Sequence, residues 1–231
     1  MGRFGVLLNA KDLEFVKKRY GGYFGVFVRM LGEEGETWDM FKVCSGEFPK
    51  DEELESFGGF VITGSCSDAH GNDLWIVKLL NLLKKLDSLK KRVSGICFGH
   101  QVFCIHRALI LIKITSQRHA YPESLKIPTT LSVIEFHRDE VRELPPSAKV
   151  MAWSSKTGVE VFMSGDHMMG IQGHPEYTKD ILLNLIDRLL DRNLIQDSHA
   201  ETAKASVEAT EPSREAWMKL CRSFLKGRLV L

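Results

Sequence analysis

Short apolar runs recur along the chain, and polar or glycine-rich residues separate them. Runs that are apolar on both faces are typical of strands covered on two sides, as in a parallel sheet. The pattern predicts strands over Phe4–Leu8, Trp38–Val43, Gly58–Thr63, Arg92–Ile96, Val150–Trp153, Val159–Met163 and Met168–Gln172.

Amphipathic segments fall between these runs and predict helices. The clearest is Asp73–Leu89, in which one helical face carries Ile76, Leu79, Leu80, Leu83 and Leu86. Asp12–Met30 predicts a helix capped by Asp12, although the glycine pair at 21–22 weakens the case for one unbroken element. Two further helices are predicted over Thr178–Leu194 and Ala216–Leu225.

Strands that alternate with helices indicate βαβ units. The fold class expected is α/β, with a doubly wound, mostly parallel sheet between two helical layers. The chain shows no internal repeat and no long linker, so we expect a single domain over residues 1–231. The polar stretch at 197–214, most of all Glu201–Arg214, predicts a mobile surface connection.

Composition narrows the function only by exclusion. Lys and Arg number 31 against 30 Asp and Glu, a formal net charge of +1, which argues against nucleic acid or an anionic membrane as partner. The apolar runs are too short to span a bilayer, and the N-terminus does not resemble a signal peptide. We therefore expect a cytosolic protein.

Cysteine spacing gives no reason to expect a disulfide framework or a metal site. The five cysteines are odd in number and scattered, and no pair has zinc-ligand spacing. Reduced thiols fit this pattern best. No metal and no organic cofactor is expected.

Cys97 lies in the stretch GICFGHQ, between Gly95 and Gly99, directly after a predicted strand. Small residues flanking a nucleophile are needed in a sharp strand-to-helix turn, as in the G-x-S-x-G elbow. There a helix N-terminus favours the thiolate, and the N–H of Phe98 would face a developing oxyanion. The alternative is a structural turn that contains a buried thiol.

The stretch GHPEY follows another predicted strand and contains the two groups that an attacking thiol requires. His174 can accept the thiol proton, and Glu176 can accept a hydrogen bond from the second imidazole nitrogen. Pro175 restricts His174 to extended conformations, so an extended segment is expected to point both side chains the same way. The alternative is a polar surface turn without chemistry.

Together, GICFGHQ and the later IQGHPEY resemble the class I glutamine amidotransferase family, whose fold is flavodoxin-like. The resemblance implies a catalytic triad of Cys97, His174 and Glu176. It also implies that FVITGS supplies the second oxyanion N–H from Gly64 or Ser65, with Phe98 as the first.

The same resemblance assigns further residues around the substrate. Gln101 is expected beside the elbow, among the oxyanion and substrate-binding residues. HRDEV at 137–141 resembles a motif near the substrate pocket of several members. Asp139 and Glu140 are candidates for binding a substrate amine, but they fit solvated surface carboxylates equally well.

Several stretches, among them VKKRYGGYFGVFV, DLWIVKLL, LPPSAKV and FLKGR, are similar to plant γ-glutamyl peptidases. This resemblance implies a stand-alone cytosolic enzyme without a cofactor or an obligate protein partner. The expected reaction is hydrolysis of the γ-glutamyl bond of a small γ-glutamyl peptide or glutathione conjugate, through a thioester on Cys97.

One segment departs from the family pattern. Between Gly99 and Gly158 the chain contains no glycine, and segment 102–136 looks shorter than in related sequences. Its run ALILIKI could still form a strand. This departure keeps open a divergent or truncated, non-catalytic family member. A further alternative is a glutaminase subunit that supplies ammonia to a separate synthase.

Overall fold

The computed structural model of the protein describes residues 2–107 and 125–229, with the side chains of residues 105–107 excepted. Within these ranges the strands form one seven-stranded sheet in the order β2-β1-β3-β4-β7-β6-β5. Their bounds are β1 Arg3–Leu7, β2 Thr37–Phe41, β3 Gly59–Ile62, β4 Arg92–Ile96, β5 Ala148–Ser154, β6 Gly158–Ser164 and β7 Met168–Ile171.

The sheet is parallel from β2 through β7, and β6 and β5 add an antiparallel edge. Connections of three residues join β5 to β6 and β6 to β7, too short for anything but antiparallel pairing. Gly158 and Gly165 supply the positive φ that these tight turns require. The predicted α/β class with a mostly parallel sheet is confirmed.

Helices cover both faces of the sheet because the strand side chains alternate between two cores. Phe60 and Ile62 of β3 belong to one core, and Val61 belongs to the other. The first core contains apolar residues of α3, Leu74–Ser88, and α4, Phe98–Arg107. The second contains residues of α2, Gly22–Leu31, and α7, Arg214–Leu225. The remaining helices are α1, Glu14–Tyr20, α5, Lys179–Asp191, and α6, Asp197–Ala209.

The predicted apolar face of α3 is nearly correct. Four of its five residues are buried, but Leu80 is only partly buried and Leu82 lies in the core instead. Within the described residues, no helix combines the length and apolarity needed to cross a bilayer.

The helix expected within Asp12–Met30 is present as two helices, and the break falls at the glycine pair, at Gly21. Gly21 has φ +77° and ends α1 in the left-handed conformation, and α2 begins at the next residue. Asp12 does not cap α1; its carboxylate instead accepts the backbone N–H of Tyr23, 2.7 Å away, at the start of α2. The tertiary fold thus supplies α2 with a capping acceptor from eleven residues upstream.

The polar stretch at 197–214 is not simply a connection, since α6 covers most of it. Ala200 and Val207 of α6 are buried in a third apolar cluster together with residues of α5. An ion pair of 2.6 Å between Lys204 and Asp187 also joins the two helices. The sequence did not reveal α6 because so few of its residues are apolar.

The atypical segment 102–136 is described only in part. It begins within α4, and Ile134 forms an isolated antiparallel bridge with His174. The predicted strand in ALILIKI, residues 108–114, lies outside the described residues.

We expect Asp12→Ala to lower the free energy of unfolding by about 1–2 kcal/mol, because the N-terminal amide of α2 loses a charged acceptor. Asp12→Asn retains an acceptor oxygen and should lose clearly less. Urea unfolding followed by circular dichroism measures both values. Equal stability of the alanine variant and the parent protein would contradict the capping role.

Candidate active site

The carboxyl ends of three strands lie side by side at one end of the sheet. Because β3, β4 and β7 are parallel neighbours, the residues that follow them emerge side by side. A methyl group placed on Gly64 would lie 2.9 Å from Cε1 of His174 and 3.6 Å from Cβ of Cys97. The structure therefore brings together the glycine turn, the cysteine and the histidine that the sequence singled out.

Cys97 occupies the sharp turn that the glycine spacing predicts. Its φ is +52°, a left-handed conformation that costs a non-glycine residue about 1–3 kcal/mol. Its N–H donates to the Ile171 carbonyl over 2.8 Å, and its carbonyl accepts the N–H of Gln101 over 3.0 Å. These bonds hold the strained residue between β7 and the first turn of α4.

The flanking glycines are required by close packing. A methyl group on Gly95 would lie 2.5 Å from the Gly99 carbonyl oxygen, and one on Gly99 would lie 2.7 Å from the Ile62 carbonyl oxygen. Any side chain at either position would push α4 away from the sheet. His100, fully buried beside Phe162, supports the same turn, and burial lowers its pKa to about 3, so it stays neutral.

Backbone N–H groups that lack an acceptor among the described residues lie in the turns next to Cys97, as an oxyanion site requires. Phe98 begins α4, where the first N–H groups have no acceptor within the helix. In the described part of the chain, no group accepts a hydrogen bond from the N–H of Gly64, Ser65 or Phe98. The Ser65 hydroxyl donates to the Asn9 carbonyl, which ties the glycine turn to the end of β1.

His174 and Glu176 form a buried pair. Nδ1 of the imidazole lies 2.9 Å from Oε1 of Glu176, and the two residues are only 3% and 2% exposed. The expected extended segment is wrong: Tyr177 N–H donates to the His174 carbonyl, so Pro175 and Glu176 occupy the centre of a tight turn. Proline favours the second position of such turns.

The electrostatics of the pair favour a charged imidazole. Burial alone lowers the pKa of His174, but the Glu176 carboxylate and the Cys97 sulfur more than offset this, and the pKa lies well above its ordinary value. With Nδ1 engaged by Glu176, Nε2 is the nitrogen left to exchange a proton with Cys97. The raised pKa favours an imidazole that holds its proton beside the Cys97 sulfur.

Gln101 lies in the first turn of α4, and its side chain contacts the HRDEV segment. Its Nε2 donates to the Asp139 carbonyl over 2.9 Å and lies 3.5 Å from Oε1 of Gln172. Gln101 thus joins the elbow helix to the HRDEV segment. The carboxylates of Asp139 and Glu140 are exposed, and Glu140 pairs with Arg142, so both belong to the surface.

Sequence reasoning missed a cluster of acids beside the site. Oε1 of Glu135 lies close to Gly173, since a methyl group placed on this glycine would be only 2.5 Å from it. Oε2 of Glu135 lies 3.0 Å from Nε2 of His137. Glu160 accepts the hydroxyl of Ser154 over 2.6 Å. Burial, and then the neighbouring Glu135, raise the pKa of Glu160.

The cluster carries no sequence signal, since its members come from separate strands and turns and match no motif. Among the described residues, no group of three or more His, Cys, Asp or Glu side chains is arranged to hold a metal ion.

Glu176→Gln keeps an oxygen beside Nδ1 of His174 but removes the negative charge. We expect the pKa of His174 to fall in this variant, in an NMR titration of the imidazole C–H signals. Glu140→Gln removes the same charge from the exposed surface and should leave the His174 pKa in place. An unaltered pKa in Glu176→Gln would disprove the charge coupling.

Comparison with solved structures supports the fold. A glutamine amidotransferase from Thermotoga maritima covers 97% of this chain and 98% of its own length, with a TM-score of 0.68 at 17% identity. A glutamine amidotransferase from Methylobacillus flagellatus gives a TM-score of 0.67 at 15% identity and covers 99% of this chain and 95% of its own.

Sequence comparison gives the family. Residues 20–182 match the family model described as glutamine amidotransferase class-I. The chain is 48% identical to γ-glutamyl peptidase 5 of Arabidopsis thaliana, covering 98% of this chain and 96% of that protein. It is 46% identical to γ-glutamyl peptidase 3 of the same plant, with 97% of each covered. The chain therefore belongs to the class I glutamine amidotransferase family.

Proposed function

We propose that the protein is a γ-glutamyl peptidase that hydrolyses the γ-glutamyl bond of glutathione conjugates and similar small peptides. The observation that carries the proposal is the meeting of Cys97, His174 and Glu176 at one sheet edge, beside free backbone N–H groups. The similarity to γ-glutamyl peptidases over nearly the whole chain supports the choice of bond.

The proposed reaction begins with attack of the Cys97 thiolate on the γ-glutamyl carbonyl carbon. The N–H groups of Phe98 and of Gly64 or Ser65 stabilise the oxyanion that forms. Each such donor contributes roughly 10²–10³ in rate in other acyl-transfer enzymes.

His174 then donates its Nε2 proton to the departing amine, and the carbon–nitrogen bond breaks to leave a thioester on Cys97. In the second half, His174 takes a proton from water, the hydroxide attacks the thioester, and glutamate leaves. Glu176 holds the imidazole orientation and offsets its positive charge throughout.

Recognition of the glutamyl group requires partners for one amine and one carboxylate. We place the amine at the partly buried acids Glu135 and Glu160, because two adjacent carboxylates favour a cation between them. Glu135 contacts Gly173, the residue before His174, so the cluster lies near the reacting carbonyl. The amide of Gln101 borders the same region and is the proposed polar contact to the rest of the glutamyl group.

The proposed setting is the cytosol, and the proposed enzyme acts alone on a small molecule, with no nucleic acid, membrane, cofactor or obligate protein partner. A reducing compartment suits a thiolate nucleophile, and all five cysteines are free thiols.

Incubation with a glutathione S-conjugate should release free glutamate. Cys97→Ser should lose this activity by roughly 10³-fold or more, because the hydroxyl is not ionised by the imidazole. Cys44→Ser alters a cysteine outside the site and should retain the activity. Mass spectrometry of the protein treated with a glutamine-mimicking electrophile should find the adduct on Cys97.

Release by both Cys97→Ser and the parent protein, or by neither, would defeat the mechanism. Absence of an adduct would favour a non-catalytic family member. Glutamine hydrolysis that rises only with an added synthase would favour a glutaminase subunit.

The amine site can be tested by pairing a variant with an altered substrate. Glu135→Gln should lower kcat/KM for the γ-glutamyl substrate roughly tenfold, because a charge-assisted contact is lost. For a glutaryl analogue without the amine, the same variant should have the same kcat/KM as the parent protein. Exposed Glu143→Gln serves as the control. An equal loss on both substrates would contradict the assignment.

A further inference from the structure

The ring of Tyr177 lies flat against the imidazole of His174. The two ring centroids are 4.1 Å apart, and the planes differ by only 12°. Both residues are buried, and the turn that contains Pro175 and Glu176 places Tyr177 three positions after His174. The stack is therefore built into the same turn that presents the histidine.

Tyr177 also contacts helix α2, through the ring of Tyr23. Its ring lies 6.2 Å from that of Tyr23 at an angle of 28°. Tyr23 belongs to the first turn of α2, and its N–H is bound by Asp12. Burial raises the pKa of Tyr23 to about 12 and raises that of Tyr177 well above its ordinary value, so both rings stay uncharged at neutral pH.

One hydrogen bond does not fix an imidazole. The bond from Nδ1 to Glu176 sets one edge of the ring, but the torsion that turns the ring plane is soft. A flat contact over the ring face removes that remaining freedom. On the side of Gly64, the missing side chain leaves room for Cε1, so the ring can occupy this plane without a clash.

We propose that Tyr177 is a positioning residue that sets the plane of the His174 imidazole toward Cys97 and stabilises its protonated form through the ring face. The inference rests on the proposed hydrolytic function of this site. A cation over an aromatic face gains about 0.5–2 kcal/mol, and a neutral imidazole gains less. Tyr177 then assists most when His174 has taken the thiol proton.

Kinetics of two substitutions test the role. Tyr177→Leu removes the aromatic face and should lower kcat roughly tenfold while KM changes less than about twofold, since the contact acts on the charged imidazole rather than on substrate binding. Tyr177→Phe retains the face and should keep kcat within about twofold. Ile186→Ala, in the same apolar cluster, should lower Tm without lowering kcat.

The alkylation rate of Cys97 by iodoacetamide at neutral pH separates this inference from the proposed function. This test does not require that the parent protein cleave a γ-glutamyl substrate. Cys97 should be alkylated roughly tenfold more slowly in Tyr177→Leu than in the parent protein, and at the parent rate in Tyr177→Phe. Parent-like turnover and alkylation of Tyr177→Leu would overturn the proposal. So would an equal loss in Tyr177→Phe, or a matching loss of kcat in Ile186→Ala.

Discussion

The left-handed backbone at Cys97 is the constraint on which the site depends. A non-glycine residue adopts this conformation only where the surrounding structure imposes it. Here the hydrogen bond to Ile171 and the close approach of Gly95 and Gly99 to their neighbours impose it. The parallel pairing of three neighbouring strands is what brings those neighbours within reach.

Burial and charge together set the pKa of His174. A fully buried imidazole would ordinarily be neutral, yet Glu176 and Cys97 raise the pKa of His174. The cost of desolvating these groups is offset only because each one faces a partner. Tyr177 adds an uncharged aromatic ring that lies flat against the imidazole. The tight turn at 174–177 therefore contains the proposed base, the proposed orienting acid and the ring stacked on the imidazole within four residues.

The antiparallel edge of the sheet extends the site beyond the triad. Strands β5 and β6 bring Ser154 and Glu160 to the same end of the sheet as His174, and the segment paired with His174 brings Glu135. A partly buried acid pair at this place is the basis of the proposed amine site. Segment 102–136 departs from the family pattern, but its residue Ile134 forms a bridge with His174. This bridge keeps the neighbouring Glu135 beside the site.

Periodicity and motif spacing alone determined the mostly parallel α/β sheet, the elbow at Cys97 and the pairing of His174 with Glu176. These features follow from local rules: strands and helices have distinct periods, and glycines mark turns that side chains would block. Only the tertiary structure decided the capping of α2 by Asp12, the helix over 197–209, the acid cluster and the stack of Tyr177 on His174. Each of these depends on contacts between residues far apart in the chain, or on a turn conformation that neighbouring strands select.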